Sequence, residues 1–269
     1  MNSYLQIKNP QDDETTIEAS VQIFTSLFRA NYPLIKHIFS KAESFSFEIY
    51  LVNQTVYFYA VCSQEQEQYL SSLISSSYPK SVIIKTQDPL DQILSESFIE
   101  SGEIKLGTSY QLPIKTYKDF QNVDPISSLL GFLAKLDANS SLGIQIVVTP
   151  SSFSWQNKVL SSANRITVDS SGAASGNPNK ALMIKKAEIG GGKVAIRVVS
   201  SSKNKISQSI LTQLAQTFGA FSLGEGNYFK LNKSTIFKNK FLKKIKSRSF
   251  SFFENRDHIL NAFELATLW

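Results

Sequence analysis

Two neighbouring segments of the chain alternate apolar and polar residues on either side of Asn53 and Gln54. A period of two places every second side chain on the same face, which is typical of a half-buried strand. The apolar positions are Phe45, Phe47, Ile49 and Leu51 before the turn and Val56, Phe58, Ala60 and Cys62 after it. The alternation predicts a β-hairpin over 45–62, and a sheet must therefore form part of the fold.

A helix and a third strand are predicted to follow the hairpin. Ser63 and Gln66 have the spacing of a capping box, in which two side chains satisfy free N–H groups at the start of a helix. The helix would bury a stripe formed by Tyr69, Leu70, Leu73 and Ile74. Pro79 cannot continue a helix, so the next strand is expected over 80–86. The predicted order is β-β-α-β.

The rest of the chain continues the same alternation of helices and strands. Asp124-Pro125 and Asn177-Pro178 each have the residue types of an N-cap and a first helical position, so a helix is predicted after each pair. The apolar run after Gly143 and the alternation of Val194, Ile196 and Val198 predict strands in 144–149 and 194–198. This pattern predicts an α+β fold of mixed or antiparallel sheets with helices packed on one face.

The chain is predicted to divide after Trp155. The residues that follow it are rich in Ser, Asn and Gly, which is typical of a linker, whereas Trp155 itself is expected in a core. We therefore expect two sandwich-like subdomains, residues 1–155 and 177–269, joined by a polar linker over 156–176.

The sequence offers little for catalysis. Cys62 is the single cysteine, and His37 and His258 are the only histidines, so a disulfide framework or a His-rich metal centre is not expected. The run from Gly190 to Lys193 lacks the spacing of a Walker A loop and is expected to be a helix-to-strand turn in which glycine supplies a positive φ. We expect no catalytic, cofactor-binding or metal site, and a protein that is not an enzyme. An alternative interpretation of the protein is an enzyme whose active site cannot be recognised from one sequence.

The positive charge is concentrated near the end of the chain. Residues 226–253 contain eight basic and no acidic residues, and without them the net charge of +6 becomes −2. The candidate nucleic-acid-binding residues are Lys238, Lys240, Lys243, Lys244, Lys246 and Arg248. Phenylalanines that could stack on bases lie among the lysines, at Phe229, Phe237, Phe241, Phe250, Phe252 and Phe253.

Two other interpretations of this basic segment remain open. Phe241, Leu242 and Ile245 would also form the buried stripe of an ordinary helix whose lysines face water. A basic amphipathic helix can also lie on an anionic lipid surface or bind an acidic partner.

Several segments, taken in order, resemble the region that precedes the ATPase in VirD4/TraG-like type IV secretion and conjugative DNA transfer proteins of candidate-phyla bacteria. They are SFEIYLVNQTVYFYAV, SYPKSVI, DPISSLLGFLAKL followed by IQIVVTP and Trp155, KVAIRVVSSS, and the closing ILNAFELATLW. The resemblance runs from about Ile17 to Trp269. The order of the segments and the closing L-N-x-x-E-L-A-T-L are its most specific features.

The resemblance implies a non-catalytic N-terminal module that assembles a VirD4-like coupling ATPase or positions DNA or substrate at a secretion machine. The Walker motifs that follow in the family are not in this sequence, so the ATPase domain is expected in cis beyond Trp269 or in trans. Partners would be that ATPase, DNA and membrane-associated secretion components. The apolar runs are too short to span a bilayer, so we expect a cytoplasmic protein, at most peripheral to the inner face of the membrane. The alternative is a stand-alone, sequence-tolerant nucleic-acid-binding protein that acts through residues 230–248.

Overall fold

The computed structural model describes residues 2–10, 12–29, 44–121, 123–151, 154–168, 174–204, 209–234, 238–250 and 257–269. The strands are β1 (Asn2–Lys8), β2 (Phe45–Val52), β3 (Thr55–Ser63), β4 (Val82–Thr86), β5 (Phe98–Leu106), β6 (Ser140–Pro150), β7 (Ile166–Val168), β8 (Ala174–Gly176), β9 (Gly191–Ser202), β10 (Phe229–Lys233) and β11 (Ile259–Asn261). The predicted hairpin is confirmed as β2 and β3. Asn53 and Gln54 join them with φ angles of 49° and 59°, and two positive φ angles are those of a type I′ turn.

Within the described ranges, nine strands form one antiparallel sheet in the order β10-β5-β9-β6-β2-β3-β1-β4, with β11 paired to β9. The predicted α+β class is confirmed. However, β9 lies between β5 and β6, so residues from both sides of the predicted boundary share one sheet. This pairing corrects the prediction of two sandwich-like subdomains. The physical reason is that Val198 and Val199, on opposite faces of β9, are both fully buried, as expected of a central strand.

The helices are α1 (Glu18–Arg29), α2 (Glu67–Ser77), α3 (Leu90–Leu94), α4 (Ser127–Leu133), α5 (Ser154–Ala163), α6 (Lys180–Ala187), α7 (Ile210–Thr217), α8 (Lys238–Ser247) and α9 (Ala262–Leu268). The main core lies between one face of the sheet and α1, α2, α4, α7 and α9. The Phe47 ring of β2 lies 4.7 Å from Phe24 of α1 and 4.8 Å from Trp269. Helix α2 and strand β4 form where predicted, but Ser63 makes no side-chain capping hydrogen bond.

The opposite face of the sheet is also covered, by α3 and α8. Ile93 of α3 and Ile245 of α8 pack in one cluster with Tyr50 and Val199 of the sheet, and all four are fully buried. The prediction that helices pack on one face only is therefore corrected. The physical reason is that, within β2 and within β9, the residues that alternate with the predicted core residues are themselves partly apolar. The second face of the sheet must therefore also be buried against helices.

The segment predicted as a polar linker contains most of α5, together with β7 and β8. Trp155 is 3% exposed, so its predicted burial is confirmed, and it packs with Val159, Ala163 and Met183 between α5 and α6. Trp155, Val159 and Ala163 are four residues apart and lie on one side of α5. This narrow apolar stripe explains why a segment rich in Ser and Asn forms a helix.

Gly190 lies between α6 and β9, and Gly191 and Gly192 are the first residues of β9, which confirms the predicted helix-to-strand turn. Their role differs from the predicted one, because none of the three has a φ in the left-handed region. A Cβ on Gly192 would lie 2.5 Å from the Thr149 carbonyl oxygen and 2.6 Å from the Phe28 ring. Glycine is therefore required by close packing against β6 and α1.

Candidate nucleic-acid interface

Helix α8 carries the central part of the basic segment. Ile245 is fully buried, and Phe241 and Leu242 pack against the same cluster. These positions are three and four residues apart and therefore lie on one side of the helix. This buried stripe fixes the rotation of α8, so the opposite side faces solvent.

The lysines of α8 lie mainly on the solvent-facing side. Lys238, Lys240, Lys243 and Lys246 are exposed, and Lys244 is half-buried. The Lys246 ammonium lies 2.7 Å from Asp91 Oδ1 of α3, so its charge is shared with a carboxylate. We use the name basic ridge for Lys238, Lys240, Lys243 and Lys244. In the ridge, side chains three and four residues apart are surface neighbours with Cβ atoms about 5–6 Å apart.

Arg248 does not belong to this exposed set. It is 3% exposed, its Nε donates to Glu48 Oε1 at 2.9 Å, and its two Nη atoms each donate to Asp88 at 2.6 Å. A guanidinium bound to two carboxylates inside the protein is not available to a phosphate. The prediction of Arg248 as a nucleic-acid-binding residue is therefore wrong. The backbone at Arg248 has a φ of 47°, a conformation found at helix ends, and here the chain turns back to the sheet.

A second buried arginine, Arg197 of β9, holds the same end of α8. Its Nη1 donates to the Lys244 carbonyl at 3.0 Å and its Nη2 donates to the Ser249 carbonyl at 2.7 Å. The last carbonyls of a helix have no partner within the helix and carry partial negative charge. Arg197 satisfies one of these carbonyls and anchors the residues that follow α8.

Arg197 belongs to a row of polar residues that crosses the sheet, and Arg248 contacts that row from outside the sheet through Glu48. In the strand register, Glu48 is opposite Gln145, Gln145 is opposite Arg197, and Arg197 is opposite Glu103. All four side chains are buried. Buried charges are costly unless they are paired and hydrogen-bonded. Residues 244–249 supply the guanidinium of Arg248 and two carbonyls to this row, which explains why a strongly basic segment packs here.

The charges of this cluster shift the ionisation of its members. Burial alone would lower the pKa of Arg248, but the negative charges beside it, above all Glu48, raise that pKa well above its ordinary value. Burial, and then the charge of Glu48, raise the pKa of Tyr50 well above its ordinary value. The Tyr50 hydroxyl donates to Glu48 Oε2 at 2.7 Å. Arg248 is therefore charged and Tyr50 neutral at physiological pH, as a fixed structural anchor requires.

The described phenylalanines of the basic segment point to structural roles. Phe241 packs in the cluster under α8, and the Phe229 ring lies 5.6 Å from the ring of Phe218. The Phe250 ring lies 5.8 Å from the Arg197 guanidinium carbon. Base stacking by these residues would require them to leave their packing partners. The other candidates for stacking lie outside the described residues, namely Phe237, Phe252 and Phe253.

The polar residues that anchor α8 were not identified from the sequence. Glu48 and Arg197 occupy the polar positions of alternating strands, where solvent exposure is the ordinary expectation. An arginine between Ile196 and Val198, in a run that reads VAIRVV, was the available signal. A run apolar at nearly every position is typical of a strand buried on both faces, where an arginine must have a partner.

One known protein family matches almost the whole chain, including the sheet and its helices. The family is DUF8128, a domain of unknown function, and its sequence model matches residues 2–268. The chain belongs to the DUF8128 family. A comparison with curated proteins found no match.

The closing L-N-x-x-E sequence of this DUF8128 chain has a structural role. Asn261 and Glu264 form a capping box at the start of α9, in which each side chain accepts a hydrogen bond from the backbone N–H of the other residue. Glu264 also accepts from the Lys186 ammonium and from the Ile114 backbone N–H, and both ionic side chains are fully buried. Burial is the main influence on Lys186 and lowers its pKa. The motif thereby fixes α9 to α6.

In the described part of this DUF8128 domain, no three side chains of the His, Cys, Asp and Glu types come together as a metal site. Burial, the largest cause, raises the pKa of Cys62 to about 12, so its thiol is a poor nucleophile. His37 lies outside the described residues, and His258 is 4% exposed. Among the described helices, none is long and apolar enough to cross a membrane.

Proposed function

We propose that this chain is a non-catalytic interaction module that acts ahead of a VirD4-like type IV secretion coupling ATPase, where it helps to assemble the machine or to position DNA. The observation that supports the DNA-binding part of this proposal is the anchoring of α8 to the sheet. Buried hydrogen bonds of Arg197 and Arg248 hold the C-terminal end of α8 against the sheet, while Lys240 and Lys243 face solvent. The ATPase part rests on the resemblance of the ordered segments to the pre-ATPase region of that family.

A fixed basic helix suits the backbone of a nucleic acid better than its bases. Lysine ammonium groups neutralise phosphates and release counterions, and this contribution does not depend on base sequence. Because α8 is already ordered, binding would not have to order the helix itself, which lowers the entropic cost of association. The chain outside 226–253 has a net charge of −2, so attraction for phosphates is expected mainly at this segment.

The nucleic-acid part is tested by fluorescence anisotropy with a labelled single-stranded DNA at low salt. The variant Lys240→Gln/Lys243→Gln/Lys244→Gln should bind at least about tenfold more weakly, because three phosphate contacts are lost. The matched control is Lys135→Gln/Lys158→Gln/Lys180→Gln, which makes the same change in net charge at three exposed lysines outside the basic segment. Equal affinity for the two triple variants would reject the basic ridge as the DNA site.

The second candidate is a stand-alone, sequence-tolerant nucleic-acid-binding protein that acts through residues 230–248. It is favoured by the presence of the whole basic segment on this chain. The two candidates differ in whether this chain binds a VirD4-like ATPase. Sedimentation of the chain together with a VirD4-like ATPase from the same genome measures this interaction. A stable complex supports the coupling module. DNA binding that depends on the basic ridge without such a complex supports the stand-alone protein.

A further inference from the structure

A cavity of about 920 Å³ opens at one end of the main core. One wall is formed by the end of β1 and the start of β3, including Ile7 and Val56. The first turn of α1 and residues 123–126 before α4 form a second wall, and the end of α9 with Trp269 forms a third. No described residue of α8 lines it, so this site is separate from the basic ridge.

The walls of the cavity are mainly apolar and rich in rings. The aromatic lining residues are Tyr57, Phe58, Tyr78, Tyr117 and Trp269, and the aliphatic ones include Ile17 and Ile126. Val123, also a lining residue, is 56% exposed. A concave site of this volume with apolar and aromatic walls is typical of pockets that bind small molecules.

Several polar groups of the lining are already bound to the protein. The Ser20 and Tyr78 hydroxyls lie 2.6 Å apart and share a hydrogen bond. Thr267 Oγ1 accepts from the Tyr117 backbone N–H at 2.9 Å and donates to the Phe263 carbonyl at 2.7 Å. Groups that are paired in this way do not require a charged partner from a ligand.

The charged lining residues also favour a neutral ligand. Lys8 and Asp124 are both exposed, carry opposite charges and are both part of the lining. Their fields oppose one another, and water screens each of them. A ligand would therefore gain its binding free energy mainly from the burial of apolar surface.

We propose that this cavity binds a small, uncharged molecule with a flat, mainly apolar body. Rings suit the walls because aromatic pairs gain from edge-to-face and offset contacts in addition to the area they bury. This site lies outside the proposed DNA-binding function and does not depend on it.

The probe for the test is Prodan, an uncharged naphthalene ketone whose emission shifts to shorter wavelength when it leaves water. We expect saturable binding of one Prodan per chain with a blue-shifted emission. Ile126→Trp places an indole in the cavity and should weaken binding by about tenfold or more. The control is Val82→Ser, which removes an apolar side chain that is 57% exposed on β4, outside the cavity lining, and should leave the affinity unchanged.

Three results would overturn the proposal: binding that does not saturate, equal affinity for Ile126→Trp with a native circular dichroism spectrum, or equal weakening by Val82→Ser. If Ile126→Trp does not fold, Thr55→Trp makes the same test at an exposed lining position. The variant Lys240→Gln/Lys243→Gln/Lys244→Gln should keep full Prodan affinity. Loss of Prodan binding in that variant would contradict the separation of the two sites.

Discussion

Arg248 and Glu48 are 200 residues apart in sequence, yet Arg248 Nε donates to Glu48 Oε1 at 2.9 Å inside the protein. Glu48 lies in β2, and Arg248 directly follows the basic helix α8. The pair therefore joins the most basic segment of the chain to the centre of the sheet. Its energetics can be separated from those of the surface lysines, because the ion pair is buried and the basic ridge is largely exposed.

Arg248→Met should lower the free energy of unfolding by about 3–5 kcal/mol, because the substitution leaves Glu48 and Asp88 buried without their cation. Urea unfolding followed by circular dichroism measures the loss. Lys246→Met is the matched control two residues away. Its partner Asp91 is 60% exposed, and exposed ion pairs contribute little, so no measurable loss is expected. Equal effects of the two substitutions would show that Arg248 is not the anchor.

Lys186→Met should also cost about 3–5 kcal/mol, since it leaves the fully buried Glu264 carboxylate without its cation. Addition of Glu264→Gln should restore part of the stability. Glutamine removes the uncompensated charge, but its single amide oxygen can accept from only one of the two backbone N–H groups that Glu264 binds, those of Asn261 and Ile114. A double-mutant cycle from urea unfolding measures the coupling. Additive losses would show that the two side chains do not act as a pair.

His258 should make the stability fall at mildly acidic pH. Burial, the main cause, lowers its pKa from 6.5 to about 4, and its Nδ1–H donates to the Val194 carbonyl at 2.7 Å. The unfolded chain binds a proton at this residue below pH 6.5, whereas the folded chain binds it only near pH 4. The unfolding free energy should therefore decrease as the pH falls from 6.5 to 4, by about 3 kcal/mol for this group.

The measurement for His258 is a series of urea unfolding curves from pH 7 to pH 4 for the wild-type chain and for His258→Gln. Other titrating groups contribute to both profiles, so the difference between the profiles isolates this residue. The wild-type profile should fall more steeply than that of the variant. Parallel profiles would mean that His258 takes up its proton in the folded chain near its ordinary pKa.

The sequence predicted those elements whose stabilising contacts are local in the chain. The β2–β3 hairpin follows from strict alternation around Asn53 and Gln54, and α8 follows from its apolar stripe. Strand β5 was not predicted, because its residues FIESGEIKL mix charges with apolar side chains at both face positions. The position of β9 between β5 and β6 depends on partners that are distant in sequence.

The same distinction applies to the candidate interface. The exposure of Lys240 and Lys243 follows from their positions opposite Ile245 on the helix, which the sequence contains. The burial of Arg248 depends on Glu48 and Asp88, and no periodicity within residues 238–250 indicates those partners. In the sequence, Arg248 therefore cannot be distinguished from the exposed lysines beside it, although its charge is paired inside the fold.

The salt dependence of DNA binding should reflect the basic ridge alone. If its four lysines each neutralise one phosphate of single-stranded DNA, the slope of log K against log salt should be about −3, from about −0.7 per contact. Lys243→Gln should flatten the slope by about 0.7. Lys246→Gln is the matched control in the same helix, and it should change the slope less because its ammonium already lies 2.7 Å from Asp91. Anisotropy titrations at four or more salt concentrations, with circular dichroism to verify the fold, measure both slopes. Equal flattening by the two substitutions would mean that DNA displaces Asp91 from Lys246 and that the interface extends beyond the basic ridge towards α3.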